Sequence, residues 1–141
     1  MNEKVQVAVS LLEKHGFSCE VLEAYADKGD VVKTVVFKKR SSSEPFAVAV
    51  KKDDRVSYKK IREIVDDAVS PLRPEELIEL GWLPGECCPL TINCELFVDK
   101  TVLNLEVLHT GSGDINHGLL YNLDALIKIR KDLSVVDVRE N

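Results

Sequence analysis

Residues 31–37 read Val-Val-Lys-Thr-Val-Val-Phe, a β-branched run of strand length with apolar side chains on both alternating faces. A strand that is apolar on both faces is usually covered on both faces. Side chains two positions apart share a face, so Lys33 points the same way as Val35 and Phe37. Because a buried ammonium group without a partner costs several kcal/mol, Lys33 is expected either to reach a carboxylate at the strand end or to serve a function.

The remaining sequence predicts helices and strands in a mixed order. Apolar residues at helical spacing predict a helix over residues 3–15, with Asn2 as its N-cap and Gly16 at its end. Further helices are predicted to begin at Ser57, Pro74 and Asn122, the last with Leu123, Leu126 and Ile127 facing inward. Strands are predicted at 19–25, 31–38, 46–50, 68–72, 95–99, 102–109, 118–121 and 133–138, with a glycine-rich loop at 110–114. This order predicts an α/β fold of the mixed α+β type in one domain, residues 1–141, and it is too irregular for a simple βαβ winding.

Length and composition are those of a globular protein. The 141 residues are 45% hydrophobic and 30% charged, with a formal net charge of −5. No apolar run of about 18 residues is present, so no segment is predicted to span a membrane. The first residues lead into an amphipathic pattern rather than a signal peptide, so a cytoplasmic protein with four reduced cysteines is expected.

Charge is distributed unevenly along the chain. Residues 28–62 contain eleven Lys and Arg against four Asp and Glu, a local balance of +7. A basic surface on an acidic protein is typical of a module that binds a polyanion. A solvated strand pair and helix face that are merely rich in lysine would give the same pattern, so both interpretations stay open. The cations concerned are Lys38, Lys39, Arg40, Lys51, Lys52, Arg55, Lys59 and Lys60.

Two segments have the composition of ligand-binding loops. Residues 81–89 read Gly-Trp-Leu-Pro-Gly-Glu-Cys-Cys-Pro, which predicts a tightly bent backbone that can approach a ligand closely. An ordinary turn between a helix and a strand remains the alternative. Residues 109–114 read His-Thr-Gly-Ser-Gly-Asp, and small residues with free backbone N–H groups can form a concavity that holds an anion. The spacing is not that of a P-loop.

Cysteine spacing gives little support for a metal site or for nucleophilic catalysis. Cys87, Cys88 and Cys94 lack the paired C-x-x-C spacing of a zinc site, and no metal or cofactor is predicted. No G-x-S-x-G elbow occurs either. Cys87 and Cys88 are therefore expected to line a pocket as small apolar side chains.

The three histidines have different expected surroundings. His15 lies at a helix end, where it is expected to cap the helix or to be exposed. His117 lies in a polar turn and is expected to be solvated. His109 follows a predicted strand and begins the small-residue segment, so it is the histidine expected near a site. None of the three has an obvious serine or cysteine partner in the sequence.

The order of these features is informative as a set. The features follow one another in this order: a leading helix, a strand ending at Tyr25, the strand with Lys33, a helix from Ser57, Gly-x-x-x-Gly-x-x-x-Pro at 81–89, Thr-Gly-Ser-Gly at 110–113 and Asp-Ala-Leu at 124–126. Together they resemble the YbaK/EbsC family of aminoacyl-tRNA deacylases, which is related to the editing domain of bacterial prolyl-tRNA synthetases. The resemblance covers essentially the whole chain.

This resemblance implies a barrel-like mixed sheet of about seven strands flanked by helices, and hydrolysis of the ester that joins a wrong amino acid to tRNA. It places the family's key lysine on Lys33 as the catalytic residue. The substrate-binding residues that the resemblance implies are Tyr25, Gly85, Pro89, Thr110 and Gly111, and the pocket residues expected from the sequence itself, Cys87, Cys88 and His109, are added to them. Glu86-Cys87-Cys88 stands where smaller residues are usual, which bears on pocket size and amino-acid preference.

The leading hypothesis is therefore a trans-editing hydrolase that removes alanine or cysteine from tRNA for proline without a cofactor. Its basic segment would contact phosphates of the tRNA acceptor end, and an aminoacyl-tRNA synthetase is the second partner considered. A non-catalytic module of the same fold that binds tRNA or a synthetase is the alternative. A small-molecule or metal-binding protein that uses Cys87, Cys88 and His109 is the third.

Overall fold

Strand β2, Asp30–Lys39, is the central element of the computed structural model, which describes residues 2–141. In chain order the other helices and strands are α1 Glu3–Lys14, β1 Glu20–Glu23, β3 Pro45–Lys51, α2 Tyr58–Val65, β4 Val69–Pro71, α3 Pro74–Glu79, β5 Glu95–Asp99, a 3₁₀ helix Lys100–Asn104, β6 Val107–Asp114, β7 His117–Asn122, α4 Leu123–Ile129 and β8 Ser134–Val136. The predicted mixed α+β class is confirmed.

The eight strands form one mixed sheet in the order β1-β7-β6-β2-β3-β5-β8, with β4 paired to β2 outside this path. Along one edge β2 pairs antiparallel with β3 from Val32 to Lys38. Its other edge is shared, because β6 pairs in parallel with residues 30–31 and β4 pairs antiparallel with residues 37–39. The sheet is open, with β1 and β8 at the ends of this path, so the expected barrel of about seven strands is corrected to an open sheet of eight.

The core lies on both faces of β2, as its apolar pattern predicts. Val32 and Val36 belong to the larger cluster of buried side chains. Phe37 belongs to the second cluster, where it stacks on Phe46 at 5.7 Å between ring centroids. Lys33 shares its face with Phe37, and its register partner on β3 is the buried Val50. A strand between two apolar clusters therefore carries a lysine on one of its covered faces.

Three helices begin at the predicted caps. The side chains of Asn2, Ser57 and Asn122 accept hydrogen bonds from backbone N–H groups of the first turns of α1, α2 and α4. Gly16 ends the first helix with φ of +82°, a conformation that glycine adopts without steric cost. The longest helix in the described residues has 12 residues, and none is long and apolar enough to cross a membrane.

Three predictions in the second half of the chain are wrong. Residues 100–104, expected in part as a strand, form a 3₁₀ helix because the Asp99 carboxylate accepts hydrogen bonds from Thr101. Residues 110–114, expected as a loop, belong to β6 and pair with β7. Ile127 is 44% exposed, and Ala125 is fully buried in its place.

Candidate active site

A small cavity opens where β2 and β6 part. Because β6 pairs only with the first residues of β2, the two strands diverge beyond Val31, and the loop of residues 81–89 covers the gap. The cavity has a volume of about 160 Å³. Its wall is formed by Ala24, Val31, Val32, Lys33, Thr34, Gly85, Cys87, His109, Thr110, Gly111, Ile115, His117 and Gly118. Six of the residues predicted from the sequence, on three separate segments, therefore meet at one site.

Lys33 is half-buried and contributes to the cavity wall. No carboxylate of residues 2–141 lies within 4.0 Å of its Nζ atom. The alternative in which Lys33 extends to the strand end and pairs with a carboxylate is therefore wrong. Its positive charge faces a partly desolvated space, where electrostatic attraction to an anion or a carbonyl oxygen is stronger than in water.

Two polar atoms in the cavity wall have no hydrogen-bond partner. They are Thr34 Oγ1 and His109 Nδ1, both fully buried. A buried polar atom without a partner costs about 1–3 kcal/mol, so native proteins usually satisfy such groups. The His109 imidazole is fixed in place, because its ring occupies the space that a Cβ atom on Gly118 would fill.

The loop of residues 81–89 packs against β6, which explains Gly111 in that strand. Gly113 N–H donates to Glu86 O at 2.9 Å. A Cβ atom on Gly111 would overlap the carbonyl oxygen of Cys87. Glycine within a strand commonly marks such a close approach of another backbone segment. The small-residue segment is thus a docking surface for the loop as well as part of the cavity wall.

Gly111→Ala is expected to destabilise the protein and to loosen this loop. The added methyl group meets backbone atoms that cannot rotate away, and overpacking of this kind costs about 1–3 kcal/mol. Urea unfolding measures the loss, and hydrogen exchange of residues 83–89 should become faster. Gly16→Ala is the control, because its Cβ would meet no atom within 4 Å and leaves only the strain of its positive φ. Unchanged exchange of the loop in Gly111→Ala would contradict the docking role.

Glu86 anchors the loop from outside the cavity. Its carboxylate accepts from Leu83 N–H at 2.9 Å and lies 3.8 Å from Lys4 Nζ. The same ammonium group lies 4.4 Å from the centre of the Trp82 ring. Glu86 therefore does not reduce the cavity, although it stands where the resemblance leads one to expect a smaller residue.

Backbone N–H groups of the same loop are free to bind a ligand. Gly85 and Cys87 line the cavity, and their N–H groups donate to no other residue in the described part of the chain. N–H groups held by a rigid loop can stabilise an oxyanion without reorganisation. Gly85 has φ of +84°, which favours glycine at the turn that presents them.

The two adjacent cysteines have different positions. Cys87 lines the cavity, whereas Cys88 is fully buried in the core and Pro89 is buried outside the cavity wall. Burial, followed by the nearby Glu86 carboxylate, raises the pKa of Cys87 to about 11. The Cys87 thiol is thus protonated at neutral pH, and a protonated thiol is a poor nucleophile.

Other predicted residues lie away from the cavity. Tyr25 is 86% exposed, and its neighbour Ala24 contributes to the wall instead. Thr110 is at the cavity, and its Oγ1 atom lies 3.0 Å from the buried Tyr121 hydroxyl.

No group of three or more His, Cys, Asp or Glu side chains within residues 2–141 is placed to hold a metal ion.

Sequence reasoning missed seven residues of the wall, two of which, Thr34 and His117, have polar side chains. Thr34 is the neighbour of Lys33 and faces the other side of β2, where its hydroxyl is the polar exception among valines. His117, expected to be solvated, lines the cavity and lies 2.9 Å from Asp114 Oδ2. The Asp-x-x-His spacing between two strands is the signal that could have identified this pair.

The basic residues do not form one continuous surface. Lys51 pairs with Val32 near the cavity, whereas Lys39 is six residues beyond Lys33, about 20 Å away at about 3.3 Å per residue. Lys38 forms an ion pair with Glu76, and Lys60 forms one with Asp137. Lys39 lies within ion-pair distance of both Glu44 and Glu95. Lys51, Lys52 and Arg55 form no ion pair with any described residue, and Lys51 and Lys52 lie beside the cavity residues Val32 and Val31.

Fold and site together define a mixed α+β protein with a small pocket, whose wall includes Lys33, two histidines and the loop residues Gly85 and Cys87. A family comparison makes this class specific. Residues 13–129 match the model of the aminoacyl-tRNA editing domain family, and the chain belongs to that family. The resemblance found in the sequence is confirmed at this level.

Solved structures of similar fold support the assignment of the architecture. A proposed trans-editing enzyme for prolyl-tRNA synthetase is 19% identical, with a TM-score of 0.83 over 100% of this chain and 99% of that chain. A hypothetical protein of unstated activity is 22% identical, with a TM-score of 0.82 over 98% of this chain and 100% of that chain. A proposed signal transduction protein from Marinobacter aquaeolei is 13% identical, with a TM-score of 0.78 over 96% of this chain and 31% of that chain. No curated protein shows significant sequence similarity to the chain.

Proposed function

We propose that the chain, as one domain, is a trans-editing deacylase that hydrolyses the ester between a wrong amino acid and its tRNA, with alanine and cysteine on tRNA for proline as the expected substrates. The observation that carries this proposal is the cavity whose wall brings together Lys33, Gly85 and Cys87, the last two with backbone N–H groups that donate to no other described residue. Membership of the editing domain family supports it. The similarity to a proposed trans-editing enzyme for prolyl-tRNA synthetase is consistent with the choice of tRNA.

The chemistry requires positioning more than a strong nucleophile. An aminoacyl ester is already activated, so a water molecule and the carbonyl carbon need mainly to be held in the correct geometry. The N–H groups of Gly85 and Cys87 would donate to the oxyanion that forms on attack, and one such donor contributes about 3–4 kcal/mol to transition-state stabilisation. Lys33 would supply a fixed positive charge to the carbonyl oxygen or to a phosphate of the terminal adenosine.

Cavity size sets the substrate class. A volume of about 160 Å³ is below the range of about 300–1,000 Å³ that is usual for drug-sized ligands. The cavity therefore suits an aminoacyl group with a small side chain, while the adenosine would remain outside. Such a pocket selects chiefly by excluding larger side chains.

The tRNA would approach over the basic residues nearest the cavity. Lys51, Lys52 and Arg55 are the members of the predicted tRNA-binding set that lie at this end of the sheet without an ion pair to a described residue. Contacts of this type with phosphates weaken as salt concentration rises. Lys38, Lys39, Arg40, Lys59 and Lys60 remain proposed contacts for the more distant part of the acceptor stem.

The test is a deacylation assay on a panel of mischarged tRNAs that includes alanyl-, cysteinyl- and seryl-tRNA for proline, with correctly charged prolyl-tRNA as the reference. We expect the protein to hydrolyse a small wrong amino acid faster than buffer does and to leave prolyl-tRNA intact. Binding of the same tRNAs is measured in parallel. Binding without hydrolysis of any charged tRNA would reject the deacylase and support the non-catalytic module.

Cys87→Ala is expected to hydrolyse mischarged tRNA at a rate similar to that of the unmodified protein, because a protonated thiol at the wall is not the nucleophile. In the unmodified protein, labelling of Cys87 by iodoacetamide should rise with pH towards about 11, as measured by peptide mass spectrometry. Cys88, fully buried, serves as the internal reference and should not be labelled in the folded protein. Rapid labelling of Cys87 at neutral pH together with an inactive Cys87→Ala protein would show instead that the thiol is the nucleophile.

A further inference from the structure

A hydrogen-bonded carboxylate and imidazole lie at the cavity without a part in the function proposed so far. Asp114 ends β6 and His117 begins β7, and the two-residue turn between them brings His117 Nδ1 to 2.9 Å from Asp114 Oδ2. His117 lines the same cavity as Lys33. A carboxylate that orients an imidazole beside a reacting group is the arrangement of a general base.

The hydrogen bond determines which ring nitrogen is free. Hydrogen bonds from Asn116 N–H and then from His117 lower the pKa of Asp114, so this carboxylate is ionised at neutral pH and can only accept. The proton of a neutral His117 ring must therefore be on Nδ1. Nε2 is left with its lone pair, ready to accept a proton.

The turn that holds the pair is rigid. Asp114 Oδ1 accepts from Asn116 N–H at 2.9 Å. Ser112 Oγ accepts from Asp114 N–H at 3.2 Å and donates to His117 O at 2.7 Å. Asn116 O accepts from Ala24 N–H of the segment after β1 at 3.0 Å. Both members of the pair are thus tied to the sheet, which limits the freedom that the imidazole would otherwise have.

We propose that His117, oriented by Asp114, is the general base that activates the hydrolytic water in this chain, an inference that rests on the deacylase proposed above. A water molecule gives a proton to His117 Nε2 while its oxygen forms a bond to the carbonyl carbon of the aminoacyl ester. The carbonyl electron pair moves to the oxygen held by the loop N–H groups. As that pair returns, the bond from carbon to the ribose oxygen breaks, and the ribose oxygen takes the proton from His117. The products are the free amino acid and the tRNA, with His117 neutral again.

The other histidine at the cavity lacks this arrangement. His109 Nδ1 is buried without a partner, and its Nε2 side packs against Gly118. No carboxylate of the described residues lies within 4.0 Å of the His109 ring, so nothing comparable orients it or stabilises its charged form. His109 suits recognition of a polar group of the substrate rather than proton transfer.

The proposal predicts how the rate depends on pH. The charged and titratable groups that face His117 are Asp114 on its own turn, its register partner Glu23 on β1, and Lys33, His109 and Cys87 around the cavity. Because a general base can accept a proton only in its neutral form, the rate should fall as pH decreases within about pH 5–8, the range in which histidine can change charge.

The experiment measures kcat/KM for deacylation of the best mischarged tRNA across this pH range, with the buffer blank subtracted at each pH. We expect His117→Gln to lower kcat/KM about 100-fold at neutral pH and to abolish the fall of kcat/KM at low pH, in line with the loss of a general base. Asp114→Asn should keep this fall but move it to lower pH, because the charged imidazole loses its carboxylate partner. His15→Gln is the matched control, since His15 caps α1 far from the cavity, and it should behave as wild type.

Two further measurements keep the test decisive. Thermal unfolding shows whether each variant is folded, and added imidazole should restore part of the rate to His117→Ala if only the base is missing. An active wild-type protein whose pH profile is unchanged in His117→Gln would overturn the base and leave the deacylase intact. A wild-type protein without activity on any charged tRNA would overturn the proposed function and the base with it.

Discussion

Lys33→Ala should reduce the rate of deacylation by about 100- to 1,000-fold, the effect of removing a preorganised electrostatic contact from a partly desolvated site. The ammonium group is half-buried in the cavity wall and is not neutralised by a carboxylate of the described residues. Its full charge is therefore available to the substrate. The measurement is kcat/KM on the mischarged tRNA that the panel identifies as best.

The stability of Lys33→Ala should be equal to or higher than that of wild type. A half-buried cation without a partner opposes folding, so its removal relieves a cost. Lys128→Ala is the control for charge, because Lys128 lies exposed on α4 and should change neither rate nor stability. Lys33→Arg keeps the positive charge but places a larger, planar guanidinium at a small cavity, so it separates the effect of charge on the rate from the effect of side-chain shape. If Lys33→Ala is folded and as active as wild type, the role given to this lysine is wrong.

Arg130→Ala should lower the free energy of unfolding by about 3–5 kcal/mol, the cost of leaving buried acceptors without their charged donor. Arg130 follows α4 and is buried, and its guanidinium donates to three carbonyl oxygens of residues 89–94. The donor–acceptor distances are 2.7 Å to Pro89 O, 3.0 Å to Ile92 O and 2.7 Å to Cys94 O. One side chain thus holds the segment that follows the cavity loop.

Urea unfolding measures this loss, and two controls locate its origin. Asp132→Ala removes the carboxylate paired with Arg130 but leaves its carbonyl acceptors, and Asp132 is 57% exposed, so a smaller loss is expected. Arg139→Ala removes a partly exposed cation 3.8 Å from Asp54 and should cost at most about 1 kcal/mol. Equal stability of Arg130→Ala and Arg139→Ala would show that the carbonyl contacts contribute little.

Much of the fold could be predicted because its signals are local. The strand around Lys33 follows from alternation of side chains, and the starts of three helices follow from Asn2, Ser57 and Asn122, whose side chains meet backbone groups two or three residues away. Family membership also came from the sequence, because the order of the segments is itself a sequence property. These features depend on neighbours in the chain rather than on packing.

The candidate site could be predicted only in part. Lys33, Gly85, Cys87, His109, Thr110 and Gly111 meet at the cavity as expected. The strand at residues 110–114 was missed because glycine normally indicates a turn, and the loop that requires Gly111 precedes it by more than twenty residues. Which of two adjacent cysteines faces the cavity, and that His117 reaches it, depended on the same packing.

The sequence by itself determined a doubly covered strand with a lysine in its middle, the helix ends, and the editing domain family. Only the tertiary structure decided that this lysine faces a cavity, because the cavity exists where β6 and β4 share one edge of β2 and leave its middle unpaired. Alternation of side chains fixes the faces of a strand but not its neighbours. The two partners on this edge of β2 come from residues about 30 to 80 positions away, and their register is set by packing across the whole sheet.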